Sequence, residues 1–409
     1  LSRAFSLLTS AFFVFLALAV FGGMVWGNTL YARNHPGETD FFVPWLSAQT
    51  FLRYGDPTSP DRITPYSDPA AQRTQIVYYG RVAAEDEDPL ILWLPFPAAL
   101  FYFPFALISD YALVRGLWMT LGEIALVASA LVALRLTGWK PPRFLLPLVL
   151  LFPALWLFGF LNVLAASPLP FVLLAAVCAL LALRAGQDEL AGILLLLPAL
   201  KLGIFSLFVF FLLWWALYHR RWRFLAGFGM ALGLLLLVSF LILPGWFMPF
   251  LRGLYWHVQF NPLASTYSVL GGIFPVAGPR FAILLTGFLF TLLFVEFRDA
   301  RRRGFRHLLW TACLTLAVAP LTGLPLGRDG FSALALPLFL FLAVLNERWP
   351  RRRLTGPALA VLIIVFLLAW GLWLAEGLTL LFSLLLVIGL YWMRWFAVRP
   401  PRTLLETLP

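Results

Sequence analysis

Residues 7–26 read LLTSAFFVFLALAVFGGMVW, a run without a single charge. At 1.5 Å per residue, about 20 such positions carry a helix across the ~30 Å hydrocarbon core of a bilayer. The run is longer than the 7–15 residue apolar stretch of a secretory leader and has no A-x-A-like cleavage site, so it reads as a retained first span. Applying the same length rule outward gives candidate spans at 7–27, 90–108, 111–134, 144–161, 167–184, 190–217, 224–243, 279–297, 307–323, 331–346, 357–375 and 377–394, about twelve crossings. Composition agrees: of 409 residues 62% are hydrophobic and only 12% charged, with a mean hydropathy of +0.89. A soluble protein carries roughly twice that charged fraction. The expected fold is an all-α polytopic membrane protein forming one integral membrane domain over 1–409.

The net charge of +11 belongs to topology rather than to nucleic acid. Arg3, His219-Arg220-Arg221-Trp222-Arg223, Arg298 to Arg306, Arg348 to Arg353 and Arg394 to Arg402 fall on one side when crossings are counted, and the positive-inside rule makes that side cytoplasmic. Loops 28–89, 244–278 and 324–330 then face outward, and 28–89 holds nine acidic residues against five arginines. The basic loop Arg135 to Arg143 counts to the wrong side. One remedy is a re-entrant 90–108, broken by Pro95, Pro97 and Pro104, together with a split of 190–217 into two short helices at Pro198-Ala199-Leu200-Lys201. An aromatic belt is expected from Trp26, Trp45, Trp93, Trp222, Trp310, Trp349 and Trp395 near span ends. Cys178 and Cys313 lie in apolar runs and suggest neither disulfide nor thiolate site. The four histidines make no metal-binding spacing, so no metal is expected.

The wettest stretch is 28–89. Phe41 to Tyr54 carries aromatics at near-helical spacing and is expected to lie flat on the membrane, apolar side in lipid, with Asp40 at its N-terminal end. Asp40 there is either a helix cap or a general base at the mouth of a cavity. Tyr66 and Asp68 follow in a turn-rich stretch. The run Glu85-Asp86-Glu87-Asp88 reads as solvated loop, with a divalent-cation site as the lesser alternative. Lys201 sits between Pro198 and Gly203 in an otherwise apolar run, where a charge costs about 2.5–3.5 kcal/mol on insertion scales and so faces a polar cavity or a partner. Arg328 in Gly327-Arg328-Asp329-Gly330 is an outward arginine, either a phosphate ligand or a local partner of Asp329. Segment 246–266 reads as a second interfacial stretch, in which His257 is a belt residue or a polar contact and Asn261 follows.

These residues resemble the GT-C superfamily of membrane glycosyltransferases, and within it glycosyltransferase family 87. The resemblance rests on Asp40, Phe41, Ala48, Gly55 and Tyr66 after the first span. It rests also on the proline-punctuated Leu94-Pro95-Phe96-Pro97 through Phe103-Pro104-Phe105-Ala106-Leu107, on Lys201-Leu202, and on the basic end Arg220-Arg221-Trp222-Arg223. The chain departs from the family at Gly159-Phe160-Leu161-Asn162, where a Gly-Gln is common, and at Pro325 to Asp329, where a histidine-containing stretch is common. The resemblance implies a GT-C-like bundle in a bacterial plasma membrane, moving a sugar from a polyprenyl-phosphate donor to a lipid or glycan acceptor on the outer face with inversion. It implies Asp40 as base, Lys201 and Arg328 on the donor phosphate, and Tyr66, Asp68, His257, Asn261 and Asp329 as substrate contacts, with no cofactor. The alternative is a polytopic secondary transporter or a flippase for a lipid-linked or small polar solute, which predicts internal repeats and paired broken helices.

Overall fold

The computed structural model describes residues 2–37, 40–55, 63–201, 203–260, 266–322, 328–348, 355–371 and 379–395. Among them every regular element is helical: α1 (Ser2–Asn34), α2 (Phe42–Tyr54), α3 (Asp68–Tyr79), α4 (Phe96–Ala99), α5 (Phe103–Ala106), α6 (Tyr111–Thr137), α7 (Leu146–Leu155), α8 (Leu157–Leu164), α9 (Leu169–Arg184), α10 (Asp188–Leu200), α11 (Ser206–Tyr218), α12 (Trp222–Ile242), α13 (Phe247–Phe260), α14 (Thr266–Ile273), α15 (Gly278–Ala300), α16 (Phe305–Val318), α17 (Ala335–Arg348), α18 (Thr355–Gly371) and α19 (Thr379–Trp392). Short 3-10 helices at Leu100–Tyr102, Ala319–Leu321 and Arg328–Leu334 join some of them.

Among the described residues five helices are long and apolar enough to cross a membrane, at Phe12–Asn34, Tyr111–Thr137, Trp222–Ile242, Gly278–Ala300 and Gly330–Glu347. The pair α7 and α8, bent by 55° at Trp156, makes a sixth if taken as one span. The chain is therefore an integral membrane protein. Helix α6 shows how local chemistry sets the ends. Asp110 Oδ1 accepts the backbone N–H groups of Ala112 and Leu113 at 2.9 and 3.2 Å, and Gly138, with φ 74°, closes the last turn. Helices α1 and α6 cross where Gly116 meets Thr29, and a Cβ on Gly116 would stand 2.7 Å from the Thr29 nitrogen. Small residues buy this approach of two backbones within a bilayer.

Polar contacts sort the connections into two ends. Arg184 donates to the carbonyls of Arg135 and Leu136 at 2.9 and 2.8 Å, and Asp188 pairs with Arg221 at 3.0 Å. The His219 ring lies 3.0 Å from the Arg301 carbonyl, Arg306 pairs with Glu347, and Arg394 pairs with Glu296 and Asp299. All the described basic connections, 135–143 included, thus gather at one end of the bundle. At the other end Arg33 pairs with Asp110 and Arg252 with Asp68.

The loop that miscounted is reconciled by two interruptions. Segment 90–108 is no continuous span: it runs extended to Pro95 and then forms α4, a 3-10 turn and α5, because Pro95, Pro97 and Pro104 supply no donors for a helical ladder. Segment 190–217 breaks into α10 and α11, so both return to the basic end.

Three further expectations are corrected. Helix α2 does not lie in lipid, since Phe42 through Phe51 are all buried. Phe51 packs on Phe96 and Phe103, while Phe42 packs on Tyr78 and Tyr111, so protein covers opposite sides of the helix. Trp45 and Trp310 are core residues rather than belt residues. Their indole N–H groups donate to the carbonyls of Phe105 and Leu390 at 3.1 and 3.3 Å. Trp26, Trp222 and Trp395 are exposed, as a belt requires. Segment 144–161 is the bent pair rather than one straight helix, kinked after the internal Pro153.

Candidate functional site

The site is built around the extended strap Asp88–Pro95. Asp88 Oδ1 accepts the Leu90 N–H at 2.9 Å, and Leu90 takes the left-handed φ of 48°, a strained value for a branched residue. The strap is stitched from the α3 side by three side chains. Gln75 donates to the Pro89 carbonyl at 2.7 Å, Tyr79 to that of Asp88 at 3.2 Å and Tyr66 to that of Leu94 at 2.7 Å. Helix α13 covers it from another side. A Cβ on Gly253 would fall 2.4 Å from the Leu92 carbonyl oxygen, so only glycine permits this contact. Arg252 reaches from α13 to the Tyr66 carbonyl at 3.3 Å and to Asp68 at 3.0 Å.

Trp93, on the strap, links two of the residues singled out from the sequence. The His257 ring stacks on it, with centroids 4.3 Å apart and planes at 11°, and the Lys201 ammonium lies 4.7 Å from its centroid. Lys201 ends α10 at the negative end of the helix dipole, where a cation is favoured. The break there has three causes: Pro198 inside the helix, the extended backbone of Lys201, and Gly203 at φ 117°, a region held by glycine. Among the described residues no carboxylate pairs with Lys201, so its charge is met only by the indole face.

Asp40 joins the same group. Its N–H donates to the Ala165 carbonyl at 3.0 Å, beside Ala166, whose φ of 49° is again left-handed. Buried Arg115 holds this corner by donating to the carbonyls of His35 and Leu164, the ends that flank Asp40. Helix α2 is capped at Phe41 without any side-chain hydrogen bond, so the Asp40 carboxylate is not a helix cap. Among the described residues it makes no hydrogen bond or ion pair. Burial holds the His257 imidazole below its ordinary pKa; Asp88 and Asp40 pull it back up, and Lys201 pushes it further down. Asp40, Asp88 and Lys201 therefore all lie within electrostatic reach of one ring.

That ring is a reporter. Asp40→Asn removes an anion and should lower the His257 titration midpoint, while Lys201→Met removes a cation and should raise it. Imidazole NMR titration checks both, and shifts of the same sign in the two variants would place one of the residues elsewhere. Because the unfolded chain binds this proton more readily than the folded one, stability contributed here falls as pH drops below the ordinary histidine value.

Next to this polar group lies an apolar cavity of about 310 Å³. Phe101, Phe105, Trp118, Leu121, Phe171 and Leu197 help to line it, and Lys201 is the one charged residue among the described lining. Such a space suits an apolar chain whose anionic end meets an ammonium.

Of the other expected contacts, Tyr66 is buried with its hydroxyl spent on Leu94, which makes it a strut of the strap. Burial raises its phenol pKa. Asp68 is exposed and paired with Arg252. Asn261 lies outside the described residues. The backbone of Arg328 and Asp329 opens a 3-10 helix that runs beside α8, with Phe331 stacked on Phe158 at 5.1 Å, and their side chains lie outside the described residues. Arg115 and Tyr102 went unnoticed in the sequence, and Trp93 was read there only as a belt residue. Arg115 carried a signal, a charge inside a predicted span. The two aromatics carried none, because they matter only through partners distant in the chain. No protein-family model, curated protein or solved structure matches this chain.

Proposed function

We propose that the chain is a GT-C-type glycosyltransferase, moving a sugar from a polyprenyl-phosphate donor to a lipid or glycan acceptor at the outer face of a bacterial plasma membrane. The observation that carries this is an ammonium, Lys201, with no acidic partner among the described residues, set on the Trp93 indole that also stacks His257 and at the edge of an apolar cavity. The Asp40 carboxylate, also without a partner among the described residues, acts on the same His257 ring. Asp40 takes the proton of the acceptor hydroxyl as its oxygen attacks the anomeric carbon. The bond from that carbon to the phosphate oxygen breaks on the opposite side, which inverts the centre. The polyprenyl phosphate leaves with its added charge stabilised by Lys201, and Arg328 is assigned to the same phosphate. His257 and Asp68 belong to the wall of the site, and Asn261 and Asp329 are assigned to substrate. The chemistry as written calls on no cofactor.

A flippase for a lipid-linked solute is the second reading. It is favoured by the presence of two interrupted helices, the α10–α11 break and the bent α7–α8 pair. The two are separated in proteoliposomes loaded with radiolabelled polyprenyl-phosphate hexoses. Transfer releases polyprenyl phosphate and a new glycoside, whereas flipping moves intact donor between leaflets. Lys201→Met should weaken polyprenyl phosphate binding about 10- to 100-fold, the size of one hydrogen bond to a charged group. Unchanged affinity would remove Lys201 from the phosphate.

A further inference from the structure

The basic end of the bundle holds more arginine than its acids pair. Asp188 meets Arg221, Asp299 meets Arg303, Glu347 meets Arg306, and Glu296 with Asp299 meets Arg394. Arg301 lies over the Trp214 and Tyr218 rings at 4.0 and 4.5 Å. Among the described residues Arg220, Arg298 and Arg302 are exposed and have no carboxylate partner. Glu189, the remaining described acid of this end, lies on the α10 side of α12 with its carbonyl against Gly227. The fold gathers the three arginines. The His219 ring lies 3.0 Å from the Arg301 carbonyl, so the turn carrying Arg220 sits beside the turn carrying Arg302. Arg298 is one helical turn before Arg302, and α11 and α15 pack there through Phe211 and Phe297, 4.5 Å between centroids. Just inside this end α15 exposes Phe294 and Val295, and α11 exposes Leu217 and Tyr218. Two lipid-facing stripes thus run into one group of guanidinium charges. Arg220 also holds a φ of 52°, in the left-handed region where glycine is the usual helix end, so the chain keeps an arginine at the cost of backbone strain.

We propose that Arg220, Arg298 and Arg302 form a headgroup site for an anionic glycerophospholipid, whose acyl chains lie along the exposed faces of α11 and α15. Guanidinium groups donate paired N–H bonds to phosphate oxygens, and three of them without acids match a headgroup whose only charge is negative. A zwitterionic headgroup brings its own ammonium, which the arginines repel. The apolar stripes below select a lipid over a free anion. By the positive-inside rule this end meets the cytoplasmic leaflet, where anionic lipids attract basic segments close to the surface. The site is at the opposite end of the bundle from Lys201 and stands whether or not the chain transfers sugar.

The test titrates the full chain in detergent with phosphatidylglycerol and with phosphatidylcholine of the same acyl chains, and counts bound lipid by native mass spectrometry. Wild-type protein should prefer phosphatidylglycerol. Each arginine near a headgroup contributes about 5-fold in affinity, so Arg220→Gly, Arg298→Gln and Arg302→Gln together should weaken phosphatidylglycerol on the order of 100-fold. Phosphatidylcholine binding should not change. Arg220→Gly alone suits the left-handed backbone, so its lipid-free thermal stability should stay level or rise while phosphatidylglycerol weakens about 5-fold. That single variant decides the matter even if the triple variant fails to fold. Equal wild-type affinity for the two lipids overturns the site, and so does a preference that survives in Arg220→Gly at full strength. Inorganic phosphate that displaces phosphatidylglycerol at equal concentration would make this a soluble-anion site and end the lipid assignment.

Discussion

Asp40→Asn is expected to lower sugar transfer by about 10²- to 10⁴-fold, the usual contribution of a positioned general base. The exchange is nearly isosteric and leaves the backbone untouched. The bond from the Asp40 nitrogen to the Ala165 carbonyl remains, and α2 loses no cap because the carboxylate never served as one. Polyprenyl phosphate affinity should stay within a factor of about two, since the phosphate is assigned to groups other than Asp40. Initial rates in proteoliposomes, with thermal stability measured on the same preparations, decide the matter. A variant that transfers at the wild-type rate would leave Asp40 without a chemical role. A variant that loses activity and stability together would make it a structural residue.

Glu296→Ala is expected to cost about 3–5 kcal/mol of stability, the range for breaking a buried ion pair from one side. The Glu296 side chain is 3% exposed and lies at the basic end of α15. It accepts from Tyr391 at 2.9 Å and from Arg394 at 2.7 and 3.0 Å, with the His307 ring 3.8 Å away. Removing it strands the Tyr391 hydroxyl and leaves Arg394 with Asp299 at 3.0 Å as its remaining acid. The contacts bind α19 to α15, so the C-terminal helix should loosen first. Limited proteolysis beyond residue 379, set against Tyr391→Phe as the milder variant, tests the order of events. A Glu296→Ala protein as resistant as wild type would show that hydrophobic packing alone holds α19.

Hydropathy was enough to establish a helical membrane protein, and the position of charges was enough to expect a sheltered site near Asp40 and Lys201. The misfit of the Arg135 to Arg143 loop was itself information. Prolines at 95, 97 and 104 and the Pro198-Lys201-Gly203 interruption together relieve it, and both features are visible as letters. Burial of α2 was not legible. A transfer scale reports only that Phe42, Trp45 and Phe51 avoid water, and lipid and protein interior satisfy them equally. Trp45 and Trp310 passed for belt residues for the same reason. The group around Trp93 joins positions 40, 88, 93, 201 and 257, and nothing local in the chain couples them. Arg115 acquires meaning only from what surrounds it, two distant carbonyls.

The hairpin formed by α10 and α11 enters and leaves the bundle at one place, where Asp188 at one foot and Arg221 just past the other pair at 3.0 Å. A segment with that property has no effect on the direction of any helix after it. It contributes two passes that cancel, so α12 to α19 would keep their orientation whether or not it was present. Lys201 thus rides on the tip of a module that leaves the helices downstream uninverted.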